Sequence, residues 1–168
     1  MDLAQILKTA IEAEKAGLKN YLEFARQTKE ETGKNMFIRL AMDELEHMDI
    51  LEKQLERRWE KQPFGRVVVE RSVIEKIVPV LSESAVRQAG RSTTGESLAL
   101  ATALEHEKKA REYYLTQAQE VQEAELKALF ERLAEMEDNH YRLIEAELDY
   151  INRTGFWFGI PQFTMDGQ

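Results

Sequence analysis

This sequence predicts an all-α four-helix bundle made of two repeated helical hairpins joined by a long crossover. Three observations predict it. With 3 prolines and 8 glycines in 168 residues, and 32% of the chain charged, the composition favours long helices over a turn-rich β fold. Four long segments carry apolar residues at helical spacing. The chain also repeats itself at a shift of 93 residues.

The first helix is expected over residues 2–29. Leu3, Leu7, Ala10, Glu14, Gly17, Tyr21, Ala25 and Thr28 share one face, Asp2 is placed to cap it, and Thr32-Gly33 marks the break that follows. The second covers residues 35–62 through Phe37, Leu40, Glu44, His47, Leu51 and Leu55, and stops before Pro63. Residues 63–92 differ in kind. The stretch 66–69 reads as extended, and residues 70–88 have room for a short helix or two around Pro79. Such a connector can travel the height of a bundle, at about 1.5 Å per helical residue and roughly twice that where extended. The third helix begins near Thr93, whose spacing to Glu96 is that of a capping box, and shows Leu100, Ala103, Glu107, Ala110, Tyr114 and Val121 on one face. The fourth uses Leu126, Phe130, Leu133, Glu137, His140, Ile144, Leu148 and Ile151 and ends at Thr154-Gly155. A bundle is therefore expected over residues 1–155, with hairpins at 2–62 and 93–153 around the crossover at 63–92. Residues 156–168, with Phe156, Trp157, Phe158 and Phe163, read as an aromatic strap packed on the bundle or on a partner subunit.

The repeat is gapless. AIEAEKAGLKNY (10–21) aligns with ALEHEKKAREYY (103–114), and the same shift carries Phe37 to Phe130, Glu44 to Glu137 and His47 to His140. In an antiparallel hairpin, residues equidistant from the turn lie at one height. Glu14 therefore comes level with Glu44 and His47, and Glu107 with Glu137 and His140. Each E-x-x-H pair has both side chains on one face, a turn apart.

Thirty-one acidic and 23 basic residues give a net charge of −8, which argues against nucleic-acid and membrane partners. With no cysteine, disulfides, iron–sulfur clusters and thiol chemistry are excluded. Neither a signal-peptide pattern nor a membrane-length apolar run is present, so the expected location is the cytoplasm. Against this plain background, four glutamates on core faces stand out. Burying one unpaired carboxylate costs several kcal/mol, and four in one small volume would repel strongly. No Lys or Arg shares these faces. Two divalent cations would balance four carboxylates and two neutral imidazoles. An oxygen-rich site with one imidazole per ion suits iron or manganese better than softer metals, and zinc could also occupy it.

With these motifs in view, the sequence resembles the ferritin-like di-iron carboxylate superfamily, and AIEAEKAGLKNY with AMDELEHMDIL is most similar to its rubrerythrin-type branch. The resemblance covers about residues 3–62 and 94–152. It implies two iron ions held by Glu14, Glu44, His47, Glu107, Glu137 and His140, with Glu44 and Glu137 bridging. Two departures matter. Rubrerythrins proper carry a four-cysteine rubredoxin-like domain, absent from this sequence, and an extra glutamate where Ala110 stands, mirrored by Gly17. The site is thus expected to be nearly two-fold symmetric.

Other readings stand beside these. The six residues could form an ion-pair network without metal. Tyr21 and Tyr114 read either as core aromatics or as donors to a ligand carboxylate. Gly17 and Ala110 are either incidental or leave space for a small oxidant. His106, about 100° around the helix from Glu107, reads as a solvated surface residue. The expected function is reduction of peroxide or dioxygen with electrons from an external donor such as a rubredoxin-like protein, in a homodimer or higher homo-oligomer. The alternatives are a ferroxidase feeding iron storage and a structural bundle that acts as a partner module.

Overall fold

Two antiparallel helix pairs form the body of the chain. The computed structural model describes residues 2–78 and 87–159. Helix α1 (Leu3–Gln27) packs along α2 (Glu31–Trp59), and α4 (Thr94–Glu120) packs along α5 (Ala124–Thr154). Between the pairs lie the short helix α3 (Val73–Ile77) and strand β1 (Arg87–Arg91), and strand β2 (Phe156–Gly159) follows α5. Among the described residues no helix is long and apolar enough to cross a membrane.

Local chemistry sets the ends of the helices. Thr93 and Glu96 close the anticipated capping box, with Glu96 N–H donating to Thr93 Oγ1 at 3.3 Å and Thr93 N–H to Glu96 Oε2 at 2.7 Å. Gly155 ends α5 in the left-handed region at φ 74°. Asp2 precedes α1 as expected, but its side chain makes no cap hydrogen bond.

The first turn falls earlier than Thr32-Gly33. Helix α1 stops at Gln27, Thr28 turns its hydroxyl back to the Phe24 carbonyl at 2.7 Å, and Glu30 caps α2 by accepting from Thr32 N–H at 3.2 Å. Thr32 and Gly33 are thus inside α2. Gly33 is required by a neighbour, not by a turn: a Cβ there would lie 2.7 Å from the buried ring of Trp157. We expect Gly33→Ala to lower stability by about 1–3 kcal/mol, since overpacking against an enclosed indole outweighs the gain in helix propensity. Thermal melts of the two proteins check this, and an unchanged or higher midpoint would refute it.

The crossover runs as an extended stretch and then a single helical turn. Val68 is 79% exposed between half-buried Val67 and Val69, the alternation expected of extended chain. Gln54 holds its start through both backbone groups of Gly65. Farther along, Ser72 and Glu75 form a capping box for α3, and Glu75 accepts two hydrogen bonds from Arg132 of α5 at 2.6 and 2.7 Å. The anticipated helical turns around and after Pro79 lie outside the described residues, except for α3 just before it.

Strand β1 pairs antiparallel with β2, matching Gln88 with Phe158 and Arg91 with Phe156. This two-stranded ribbon is the one sheet among the described residues. It settles where the strap lies over residues 156–159. Trp157 and Phe158 are buried on their own bundle, with the Trp157 indole N–H donating to Glu96 Oε2 at 3.3 Å and Phe158 N–H to Glu147 Oε1 at 2.6 Å. Phe163 lies outside the described residues.

Candidate metal centre

The apolar core is divided in two. One cluster, around Phe37, Leu40, Leu100, Leu143 and Trp157, fills the end nearest the α1–α2 turn, and the other, around Leu7, Leu51, Leu126, Phe130 and Leu133, fills the opposite end. Between them lies a polar layer. Glu14 comes from α1, Glu44 and His47 from α2, Glu107 from α4, and Glu137 and His140 from α5, each at most 2% exposed.

These six side chains form two overlapping groups. Glu14, Glu44, His47 and Glu137 make one, and Glu44, Glu107, Glu137 and His140 the other, with ligand atoms in each group within 4.8 Å of one another. Glu44 and Glu137 belong to both. Glu137 bridges the imidazoles, with Oε1 3.1 Å from His47 Nδ1 and Oε2 3.2 Å from His140 Nδ1. Glu14 Oε2 lies 3.3 Å from His47 Nδ1, and Glu107 Oε2 lies 3.4 Å from His140 Nδ1.

The donor set fits a pair of cations. Glu44 Oε1, Glu107 Oε2, both Glu137 oxygens and His140 Nδ1 are buried without a hydrogen-bond partner among the described residues. Each nonetheless lies close to other polar atoms. Crowded but unbonded lone pairs are what surrounds a shared centre, since metal–oxygen and metal–nitrogen bonds of about 2.0–2.2 Å place neighbouring ligands a few ångströms apart.

Within the cluster the six groups shift one another's proton affinities. Burial opposes protonation of both imidazoles, yet Glu137 and Glu14 around His47, and Glu107 and Asp43 around His140, hold them well above their usual value. Burial likewise pushes the Glu137 carboxyl up, but His47 and His140 outweigh it and hold it well below the ordinary range. At Glu44, burial and Glu137 act upward, and the imidazoles of His106, His140 and His47 bring it below. Glu14 and Glu107 are raised, first by burial and then by their carboxylate neighbours. The imidazoles, Glu44 and Glu137 are thus shifted toward their charged forms, and Glu14 and Glu107 toward their neutral forms.

Four further side chains lie in or beside the layer. Tyr21 donates its hydroxyl hydrogen to Glu107 Oε1, and Tyr114 donates to Glu14 Oε1. Each hairpin's tyrosine therefore holds the other hairpin's glutamate. His106 does not lie on the surface: it is 21% exposed, its ring meets Tyr21 edge-on, and its Nε2 lies 3.9 Å from Glu44 Oε2. Gly17 makes room for it, because a Cβ at that position would come within 2.4 Å of Glu44 Oε2 and 2.6 Å of His106 Nε2. The space at Gly17 is thus filled by protein. Asp43, which sequence reasoning passed over, lies 3.0 Å from His140 Nε2 through Oδ2.

The model of the Rubrerythrin family matches residues 5–90, more than half of the chain. The chain belongs to the rubrerythrin family. No curated protein sequence matches it. Among solved structures it is similar to a hypothetical protein from Pyrococcus furiosus, with 24% identity over 91% of this chain and 92% of that one and a TM-score of 0.69, a likeness of fold. The rubrerythrin match covers the first hairpin and the crossover, and the 93-residue repeat extends the same ligand pattern to α4 and α5. A rubrerythrin-type fold and a buried carboxylate–histidine cluster together fit a di-metal protein.

Proposed function

We propose that the chain holds two iron ions in this layer and reduces peroxide or dioxygen with electrons from a separate donor such as a rubredoxin-like protein. The observation that carries the reading is the pair of overlapping ligand groups that share Glu44 and Glu137. Glu14 and His47 would hold one ion, Glu107 and His140 the other, and Glu44 and Glu137 would bridge. One imidazole per ion among carboxylates favours iron, and manganese or zinc would also fit. The chemistry such a pair supplies is the two electrons that turn a peroxide into two waters.

The chain's own residues do the rest. Tyr114 and Tyr21 fix the rotamers of Glu14 and Glu107 by donating to their Oε1 atoms, leaving each Oε2 turned toward an imidazole. Glu14, Glu107, His47 and His140 hold protons more tightly than usual in this cluster, and cation binding would compete with those protons. The two apolar clusters exclude bulk water from above and below the layer.

Loading Fe(II) anaerobically and adding one equivalent of hydrogen peroxide per pair of irons tests the reading. Both irons should be oxidised, with ferric absorption rising in the near ultraviolet, and a reduced rubredoxin should restore the ferrous state. Absence of peroxide-dependent oxidation would remove the redox reading. Uptake of many irons per chain into a large particle, seen by light scattering, would mark a ferroxidase instead.

A further inference from the structure

The two halves of the site differ in what holds their imidazoles. His140 Nε2 is 3.0 Å from Asp43 Oδ2, which leaves Nδ1 facing Glu44, Glu107 and Glu137 at 3.5, 3.4 and 3.2 Å. His47 presents its Nδ1 to Glu14 and Glu137 at 3.3 and 3.1 Å, but its Nε2 is buried with no partner among the described residues. The repeat differs at the matching position. The 93-residue shift relates His47 to His140 and takes Asp43 to Met136, a fully buried residue whose thioether accepts hydrogen bonds poorly.

Asp43 is only 13% exposed, so its carboxylate is largely withdrawn from water. A carboxylate accepting the Nε2 proton commits the ring to one tautomer and orientation, with Nδ1 free to bind. At His47 no described side chain accepts a hydrogen bond from Nε2, and the contacts are all at Nδ1.

We propose that the two metal positions are inequivalent, that the Glu107–His140 position fills first, and that Asp43 is the positioning residue responsible. This rests on the metal reading above. Loss of such a hydrogen-bond partner typically costs about 10–100-fold in metal affinity, so the two steps should be separated by that order.

The test is nitrogen-15 NMR of histidine-labelled protein, which has only 3 imidazoles to follow, titrated with Zn²⁺. At one equivalent the His140 signals should move to their bound positions while those of His47 stay, and the second equivalent should move His47. Asp43→Asn, which keeps an acceptor, should preserve the order, and Asp43→Leu should abolish it. Concerted movement of both rings in the unaltered protein, movement of His47 first, or an unchanged order in Asp43→Leu would each overturn the inference. If neither ring moves with Zn²⁺ or anaerobic Fe²⁺, the metal reading fails and takes this one with it. The titration of the unaltered protein decides the order even if the leucine variant does not fold.

Discussion

Saturating a divalent cation at about 1,000 times its dissociation constant should raise the melting temperature by roughly 15–30 °C, and this gain should vanish in the Glu44→Gln, Glu137→Gln double variant. Each filled site adds about 4 kcal/mol at that excess, and a chain of this size melts a few degrees higher per kcal/mol. Glu44 and Glu137 are the pair to replace because they alone belong to both ligand groups. Glutamine keeps their volume, so the apolar clusters above and below should survive. Calorimetric scans with and without the metal read the effect. A melting point indifferent to Fe²⁺, Mn²⁺ and Zn²⁺ would mean that the layer is an internal ion-pair network.

The second large effect concerns pH, and its sign reverses with loading. In the metal-free chain Glu14 and Glu107 are raised above 4.5, first by burial, and burial pushes Glu147 up to about 8. Below 4.5 the folded and unfolded chains both hold these protons. As pH rises past that value the unfolded chain releases them and the native chain does not, so stability falls by about 1.4 kcal/mol per pH unit for each proton retained. His47 and His140 act in the same direction higher up: the stabilisation they give while charged is complete below 6.5 and is lost as pH rises through their elevated values. Glu44 and Glu137, held low, add stability above 4.5 that disappears as pH falls through their native values.

The chelated protein should therefore be most stable in mildly acidic buffer and weaken through neutrality. Cations displace the same protons, so the loaded protein should gain from pH 6 to 8. Urea unfolding across that range checks both slopes. Glu147→Gln, remote from the layer, should flatten the metal-free slope by one proton and leave the cation effect intact. A metal-free stability that climbs with pH would refute the assignment.

How much of this was legible in the chain can be judged residue by residue. The helix faces and the six polar residues were, because a period near 3.6 and a repeat at 93 residues report the same register twice. Gly33 was misread as a break, since its cause is an indole far along the sequence at Trp157. His106 was read as outward-facing because a helical wheel gives the direction of a side chain but not the gap in the opposing helix, and Gly17 is that gap. The β1–β2 ribbon had no local signal: RQAGR lacks strand alternation and is extended because Phe156–Gly159 pairs with it. Asp43 was missed because its partner lies across the bundle, where spacing along one helix carries no information.

The exchanged tyrosines have a consequence for how such a molecule could arise. Tyr21 reaches Glu107 and Tyr114 reaches Glu14, so a single hairpin contains a clasp that only a second, similar hairpin can close. Two similar unlinked copies would already bring together the four glutamates, the two E-x-x-H histidines and the two tyrosines of the layer. In a single polypeptide the two halves are free to differ, and at matching places this chain has aspartate at 43 and methionine at 136.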